Sequence, residues 1–197
     1  MEAKVDGRRA RGERARGAVL DAILDLLQEG DLKPTAERVA ERAGVSLRLV
    51  FHHFADLESL YAAAADRQLE RLRPLMKPIS ADGPFDARLE AFLRQRVRLW
   101  EKIAPVRRAS LLLEPFSQAI RDRLDGARAL ARDEVATVFC PEIEKLPRSQ
   151  RFEVVAALDV AAAWHTWEAL RRHLGLSVDA SRRVVAHMLA ALLAAHR

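Results

Sequence analysis

Residues 35–54 read TAERVAERAGVSLRLVFHHF, and this stretch carries the strongest local signals in the chain. Thr35 is a suitable N-cap for a short helix, and Ser46 is a suitable N-cap for the next one, which continues to about His53. Gly44 lies where the chain must turn sharply between the two helices. Two short helices that meet at a glycine-containing turn form a helix-turn-helix, whose second helix can enter the major groove of DNA.

The flanking residues extend this motif into a small helical domain. Apolar residues at positions 20, 23, 24 and 27 recur with the spacing of an amphipathic helix, which we expect to end at Gly30. Asp56 is placed to cap a further helix that continues to about Leu72, just before Pro74. We therefore expect three helices followed by a connecting helix.

Helical patterns continue beyond a connector at residues 74–84. They lie at about residues 85–102, 105–113, 115–138, 148–174 and 177–196. Pro105, Pro115 and Pro147 each stand where we expect a helix to start, a position at which proline is tolerated. No window alternates with a period of two, so we expect no sheet. The sequence predicts an all-α fold of about nine helices.

The charge is unevenly distributed. The formal net charge is +5, which favours an anionic partner. Much of the excess lies in the first sixteen residues, which contain Lys4, Arg8, Arg9, Arg11, Arg14 and Arg16. We expect this basic N-terminal arm to precede the first helix as a flexible tail, either simply solvated or following the minor groove of DNA.

Cys140 is the one cysteine in the chain, so an intrachain disulfide is impossible and a reducing compartment fits. No apolar stretch follows the N-terminal charges, and no apolar run is long enough to span a bilayer. We expect a cytoplasmic protein with no membrane contact. No cluster of cysteines and histidines predicts a metal, and no glycine-rich phosphate loop predicts a cofactor.

The stretch from Thr35 to Phe54, continued by ADLESL at residues 55–60, closely resembles the DNA-binding signature of the tetracycline-repressor (TetR) family. The resemblance covers about residues 14–61, and the rest of the chain agrees in length and helical layout. It implies a DNA-binding domain with the basic arm over residues 1–55. It also implies a helical regulatory domain, for ligand binding and dimerisation, over residues 56–197.

The resemblance assigns DNA contacts position by position. The exposed start of the recognition helix, where family members contact bases and nearby phosphates, corresponds to Ser46, Leu47, Arg48 and Leu49. The aromatic positions whose polar tips reach phosphates correspond to Phe51, His52 and His53. Thr35 corresponds to the start of the preceding helix, where hydroxyl and N–H groups face a phosphate.

The chain departs from the family pattern at four of these or neighbouring positions. Arg48 and Leu49 replace a small residue and a threonine, Phe51 replaces a tyrosine, and Leu57 replaces a lysine. Arginine is the commonest bidentate reader of guanine, so Arg48 can supply base recognition that family members obtain otherwise. The departures leave the operator sequence open.

Two C-terminal segments are apolar nearly all round. Residues 154–164 contain Asp159 as their one polar residue, and residues 184–195 contain His187. Such helices must be covered on both sides. The simplest cover is a second copy, giving a four-helix interface around a twofold axis and hence a palindromic operator. A buried helical hairpin within a monomer is the alternative.

A pocket for a small-molecule effector is expected among the helices in the middle of the chain. The candidate lining residues are Trp100, Leu112, Phe116, Trp164 and Trp167. For each of these residues taken alone, plain core packing is the favoured interpretation. The leading hypothesis is a homodimeric, ligand-responsive regulator, usually a repressor, rather than an enzyme. A small all-α enzyme and a helical interaction protein without DNA specificity are the alternatives, and the first lacks any recognisable catalytic motif.

Overall fold

The computed structural model describes the backbone of residues 2–194 and the side chains of residues 9–194. Over this range the chain contains ten α-helices and no strand. They are α1 Glu2–Gln28, α2 Ala36–Ala43, α3 Leu47–His53, α4 Leu57–Leu72, α5 Phe85–Leu113, α6 Gln118–Val138, α7 Cys140–Ile143, α8 Arg148–Ala161, α9 Trp164–Glu168 and α10 Val178–Ala194. The predicted all-α fold is confirmed.

The predicted caps of the N-terminal helices are confirmed. Thr35 and Ser46 are the N-caps of α2 and α3, and Gly44 ends α2 in the left-handed region at φ 65°. Asp56 and Ser59 cap α4 reciprocally, because each side chain bonds the backbone N–H of the other, at 2.7 Å to the Asp56 carboxylate and 3.2 Å to the Ser59 hydroxyl. These bonds satisfy N–H groups that the helix itself leaves without partners.

The chain divides into two compact units. The first holds the residues up to Leu72 together with Ile103–Asp122. In it, α1 packs on α2 and α4, and α2 packs on α3. Its core is apolar and almost fully covered, with Val19, Ile23, Leu27, Val39, Val50 and Leu60 at most 1% exposed. The core fixes the angle between α2 and α3 because Val39 and Val50 both contribute to it.

The second unit holds Arg73–Lys102 and the residues from Arg123 onward. Its core includes Phe92, Phe139, Leu158, Trp167 and Leu189, and α8 packs on α10. The first unit therefore includes α4 and a segment from the middle of the chain as well as the first three helices. The expected boundary after residue 55 therefore stays a prediction.

Several predicted helix boundaries are wrong. The arm residues that the structure describes belong to α1, because arginine, alanine and glutamate favour helix and Arg9 pairs with Glu13 one turn away at 3.5 Å. The side chains of Lys4 and Arg8 lie outside the described residues, as do residues 195–197. Pro105 lies inside α5 rather than at a start. Burial of the neighbouring Ala104 and Val106 keeps the helix continuous there.

The C-terminal segments also differ from expectation. Pro115 lies in the turn before α6, which begins at Gln118. The helix expected at 148–174 is interrupted after Ala161, because Ala163 is extended and the Thr166 hydroxyl donates to the Val160 carbonyl at 2.5 Å. A π-helical turn at Ala169–His173 follows α9. In the described part of the chain, no helix is long and apolar enough to cross a membrane.

Candidate nucleic-acid interface

The start of α3 presents a free arginine. Ser46 is exposed, and its hydroxyl accepts a bond from the Leu49 N–H at 3.2 Å, which fixes the first turn. Arg48 is exposed, and among residues 9–194 its side chain has no hydrogen bond or ion pair. Leu47 and Leu49 flank it and are half-buried. Four of the predicted contact residues therefore lie together in the first turn of α3 and its cap.

The arginines of α2 are engaged within the protein, in contrast to Arg48. Arg38 donates to the Asp31 carboxylate at 2.5 Å, and Arg42 pairs with Glu29 at 2.7 Å. These ion pairs tie α2 to the end of α1 and the loop after it. Arg48 is thus the arginine of the helix-turn-helix that is left available for an external partner.

The aromatic end of α3 splits into an exposed part and a covered part. Phe51 and His52 are exposed, whereas His53 is half-buried and its Nε2 is covered, with no hydrogen-bond partner among the described residues. The ring of His53 faces α1, since a Cβ added at Gly12 would lie 3.8 Å from its Cε1. Burial lowers the pKa of His53, and the nearby His52 and Arg16 lower it further. Phe51 and His52 are therefore accessible to an external partner such as the sugar-phosphate backbone of DNA. His53 instead packs between α3 and α1.

Thr35 lies on the surface at the start of α2. Its Oγ1 accepts a long hydrogen bond from the Arg38 N–H at 3.4 Å. The backbone N–H of Glu37 and the Thr35 hydroxyl lower the pKa of the Glu37 carboxyl. The start of α2 therefore stabilises a negatively charged group. The predicted phosphate position at Thr35 is accessible, and its hydroxyl interacts with the carboxylate of Glu37.

The basic arm continues α1 as an exposed helix beside α3. Arg9, Arg11, Arg14 and Arg16 are all exposed. The guanidinium of Arg16 lies over the Phe54 ring at 5.2 Å from its centre. Phe54 is buried, and its ring anchors a cation at the end of α3, a contact that the sequence did not predict. No pattern in the sequence signals this contact, because it depends on how α1 packs on α3.

The five predicted effector residues do not form one cluster. Trp100 and Trp167 stack in the core of the second unit, with ring centres 4.9 Å apart, and Trp167 Nε1 donates to Glu101 at 2.8 Å. Trp164 is also buried there. Leu112 and Phe116 belong to the first unit and are 52% and 83% exposed.

Two cavities lie in the second unit, and neither is lined by those five residues. One of about 180 Å³ lies between α5 and α10, and includes Glu90 and Arg182 in its lining. The other, of about 420 Å³, borders Arg88, Glu142 and Lys145. Arg88 already bonds both oxygens of Glu142, at 2.9 and 2.5 Å. Among the described residues, no group of three or more histidine, cysteine or acidic side chains is arranged to hold a metal ion.

Comparison with known proteins agrees with the resemblance seen in the sequence. Residues 19–64 match the family model of bacterial regulatory proteins of the tetR family. No curated protein matches the chain. Among solved structures, a transcriptional regulator from Rhodococcus sp. Rha1 is similar with a TM-score of 0.71 at 17% identity, covering 93% of this chain and 96% of that one.

A tetR-family transcriptional regulator from Streptomyces coelicolor is similar with a TM-score of 0.69 at 22% identity, covering 91% of this chain and 83% of that one. At such identities the likeness establishes the fold. The family model matches the helix-turn-helix itself, and the fold is shared over nearly the whole chain. Residues 19–64 are therefore similar to the DNA-binding region of the tetR family of bacterial regulatory proteins, and the chain has the fold of solved regulators of that kind.

Proposed function

We propose that the protein is a homodimeric transcriptional repressor that binds a palindromic operator through α3 and releases it when a small, mainly apolar molecule binds. The main support for DNA binding is that Arg48 is exposed and has no partner among the described residues. It stands at the start of the helix that enters the groove. A free guanidinium in that position suits bidentate bonding to the O6 and N7 atoms of a guanine.

The neighbouring groups suit the DNA backbone. Thr35 and His52 are exposed at the start of α2 and the end of α3, and Arg16 stands beside the end of α3. Phosphate contacts of this kind fix the register of the protein on the duplex, whereas base contacts specify the sequence. Leu47 and Leu49 flank Arg48 and suit contact with thymine methyl groups.

Dimerisation is supported by an apolar face on α8. Phe152 and Val160 are 83% and 68% exposed, and they lie eight residues apart with the exposed Ala156 midway, so the three share one face. On α10 the core stripe is taken by Val185, Leu189 and Leu193. The interface must therefore use the other sides of that helix. A second copy is the proposed cover, because regulators of this family usually dimerise.

The effector site is proposed around the tryptophans of the second unit. The stacked pair Trp100 and Trp167, together with the buried Trp164 three residues before Trp167, provides aromatic surface in the core. Such a surface suits an apolar or aromatic ligand. Two of these residues, Trp164 and Trp167, lie in α9, which begins directly after the extended Ala163 and continues into the π-helical turn at Ala169–His173. π-helical turns often accompany binding sites.

Selection of binding sites from random duplexes, followed by titration of the selected operator, tests the DNA-binding proposal. Arg48→Ala should weaken operator binding by about 1–3 kcal/mol and relax the preference at one base pair per half-site. Arg94→Ala, which removes an exposed arginine of α5 in the second unit, is the charge-matched control and should bind like the parent. Equal affinity of Arg48→Ala and the parent for the selected operator would reject the assignment.

A further inference from the structure

We propose that Tyr61 is a positioning residue for DNA binding, whose hydroxyl group fixes the peptide plane that presents Thr35 at the start of α2. The inference rests on the proposed function, because the orientation of Thr35 affects affinity only if α2 faces a DNA phosphate. Tyr61 itself touches no DNA in this arrangement, since it is 7% exposed.

The contact joins two distant parts of the first unit. Tyr61 lies in α4, and its hydroxyl donates to the carbonyl of Pro34 at 3.2 Å across 27 positions of sequence. Pro34 is buried as well. Burial and the negative charge of Asp31 both raise the pKa of Tyr61, so the hydroxyl stays protonated and remains a donor. A buried tyrosine hydroxyl ordinarily has such a partner.

Peptide geometry carries the effect from Pro34 to Thr35. The carbonyl of Pro34 and the N–H of Thr35 belong to one planar unit, and no cis peptide occurs in the described chain. In a trans peptide these two groups point in opposite directions. Tyr61 holds the carbonyl of Pro34 toward the protein interior. The N–H of Thr35 is therefore directed away from the interior, toward the side where Thr35 is exposed. The hydrogen bond therefore orients a donor at the helix start that suits a phosphate.

The same loop has a second anchor that does not involve Tyr61. The Asp31 carboxylate accepts from Arg38 at 2.5 Å and from the backbone N–H of Lys33 at 3.3 Å. Loss of the Tyr61 hydroxyl consequently leaves the loop attached to α2 but frees the plane between Pro34 and Thr35. A binding defect with little loss of structure is the expected result.

The test compares Tyr61→Phe with Ser181→Ala, since both remove one buried hydroxyl without changing charge. Ser181 lies in α10 of the second unit, is fully buried, and has no hydrogen-bond partner among the described residues for its Oγ. Affinities for the selected operator are measured with full-length protein, well below the unfolding midpoint of each variant. We expect Tyr61→Phe to bind about three- to tenfold more weakly, and Ser181→Ala to bind like the parent.

A phosphate scan distinguishes positioning from a merely structural role. Each operator phosphate is replaced in turn by a neutral methylphosphonate. Thr35→Val, which removes the hydroxyl but keeps the N–H of that residue, identifies the phosphate that the hydroxyl contacts at the start of α2. Tyr61→Phe should lose sensitivity at that same phosphate, and Thr35→Val should cost little further affinity in the Tyr61→Phe background. A Tyr61→Phe protein with parental affinity and parental phosphate sensitivity overturns the inference, even if its unfolding midpoint falls.

Arg48→Ala separates this inference from the proposed function. If Arg48→Ala weakens binding while Tyr61→Phe leaves affinity and phosphate sensitivity unchanged, the positioning role alone is wrong. If the parent protein selects no duplex, the proposed function fails and the positioning role fails with it.

Discussion

Truncation of Phe152 on α8 should dissociate the proposed homodimer. The side chain is 83% exposed in the single chain, and an aromatic side chain buries roughly 200 Å² when it is covered. Covering the exposed part in an interface would remove about 165 Å² from water, which is worth about 4 kcal/mol at about 25 cal/mol per Å². A twofold interface contains the residue twice, so the upper limit is about 8 kcal/mol per dimer.

The expected loss is smaller than this limit, because alanine retains part of the contact and neighbouring side chains shift toward the gap. We expect Phe152→Ala to weaken the dimer by about 3–5 kcal/mol, which raises its dissociation constant by about 150- to 5,000-fold. Sedimentation equilibrium over a dilution series measures this constant directly. Thermal unfolding at a concentration where both proteins are monomeric should differ little, because the side chain is largely exposed in the monomer.

Leu130→Ala is the matched control, since Leu130 is a large apolar residue that is 60% exposed on α6, outside the proposed interface. Its dissociation constant should equal that of the parent. An unchanged constant for Phe152→Ala would show that the interface does not use this face of α8. A parent protein that remains monomeric at every concentration would reject the homodimer itself.

Two further predictions concern pH and the effector. Because burial lowers the pKa of His53 in the folded state below its ordinary value of 6.5, the contribution of His53 to stability is complete above that pH and is lost as the pH falls toward the folded-state pKa. Thermal unfolding from pH 7.5 to 5.5, taken as a series of about half-unit steps, should therefore lose the larger part of this pH dependence in His53→Gln and a smaller part in His52→Gln, because His52 is a lesser cause of the shift than burial. Equal slopes in both variants contradict the burial of His53. Apolar and aromatic ligands that bind near Trp100 and Trp167 should change tryptophan fluorescence and release the operator, and ligands that bind there without affecting operator affinity speak against the proposed coupling.

The local structure of the DNA-binding region could be predicted from the sequence because its determinants are local. Thr35, Ser46 and Asp56 each act on a backbone N–H within three residues, and Gly44 supplies its own left-handed conformation. The exposed position of Arg48 also follows from helix periodicity once the cap at Ser46 is fixed. The TetR signature could be read for the same reason, since it lies almost entirely within one short segment.

The tertiary structure decided the features that depend on distant residues meeting. The hydroxyl of Tyr61 donates to the carbonyl of Pro34, Arg16 lies over the Phe54 ring, and the buried Arg88 bonds Glu142. The residues near each of these in sequence do not indicate which partner it contacts. The same holds for the predicted effector set, in which Trp100 stacks on Trp167 while Phe116 stays exposed. A periodic pattern tells which side of a helix is apolar, but the packing of whole helices determines what covers that side. Residue-level contacts of the candidate site follow from that packing, which the spacing of residues along one helix does not encode.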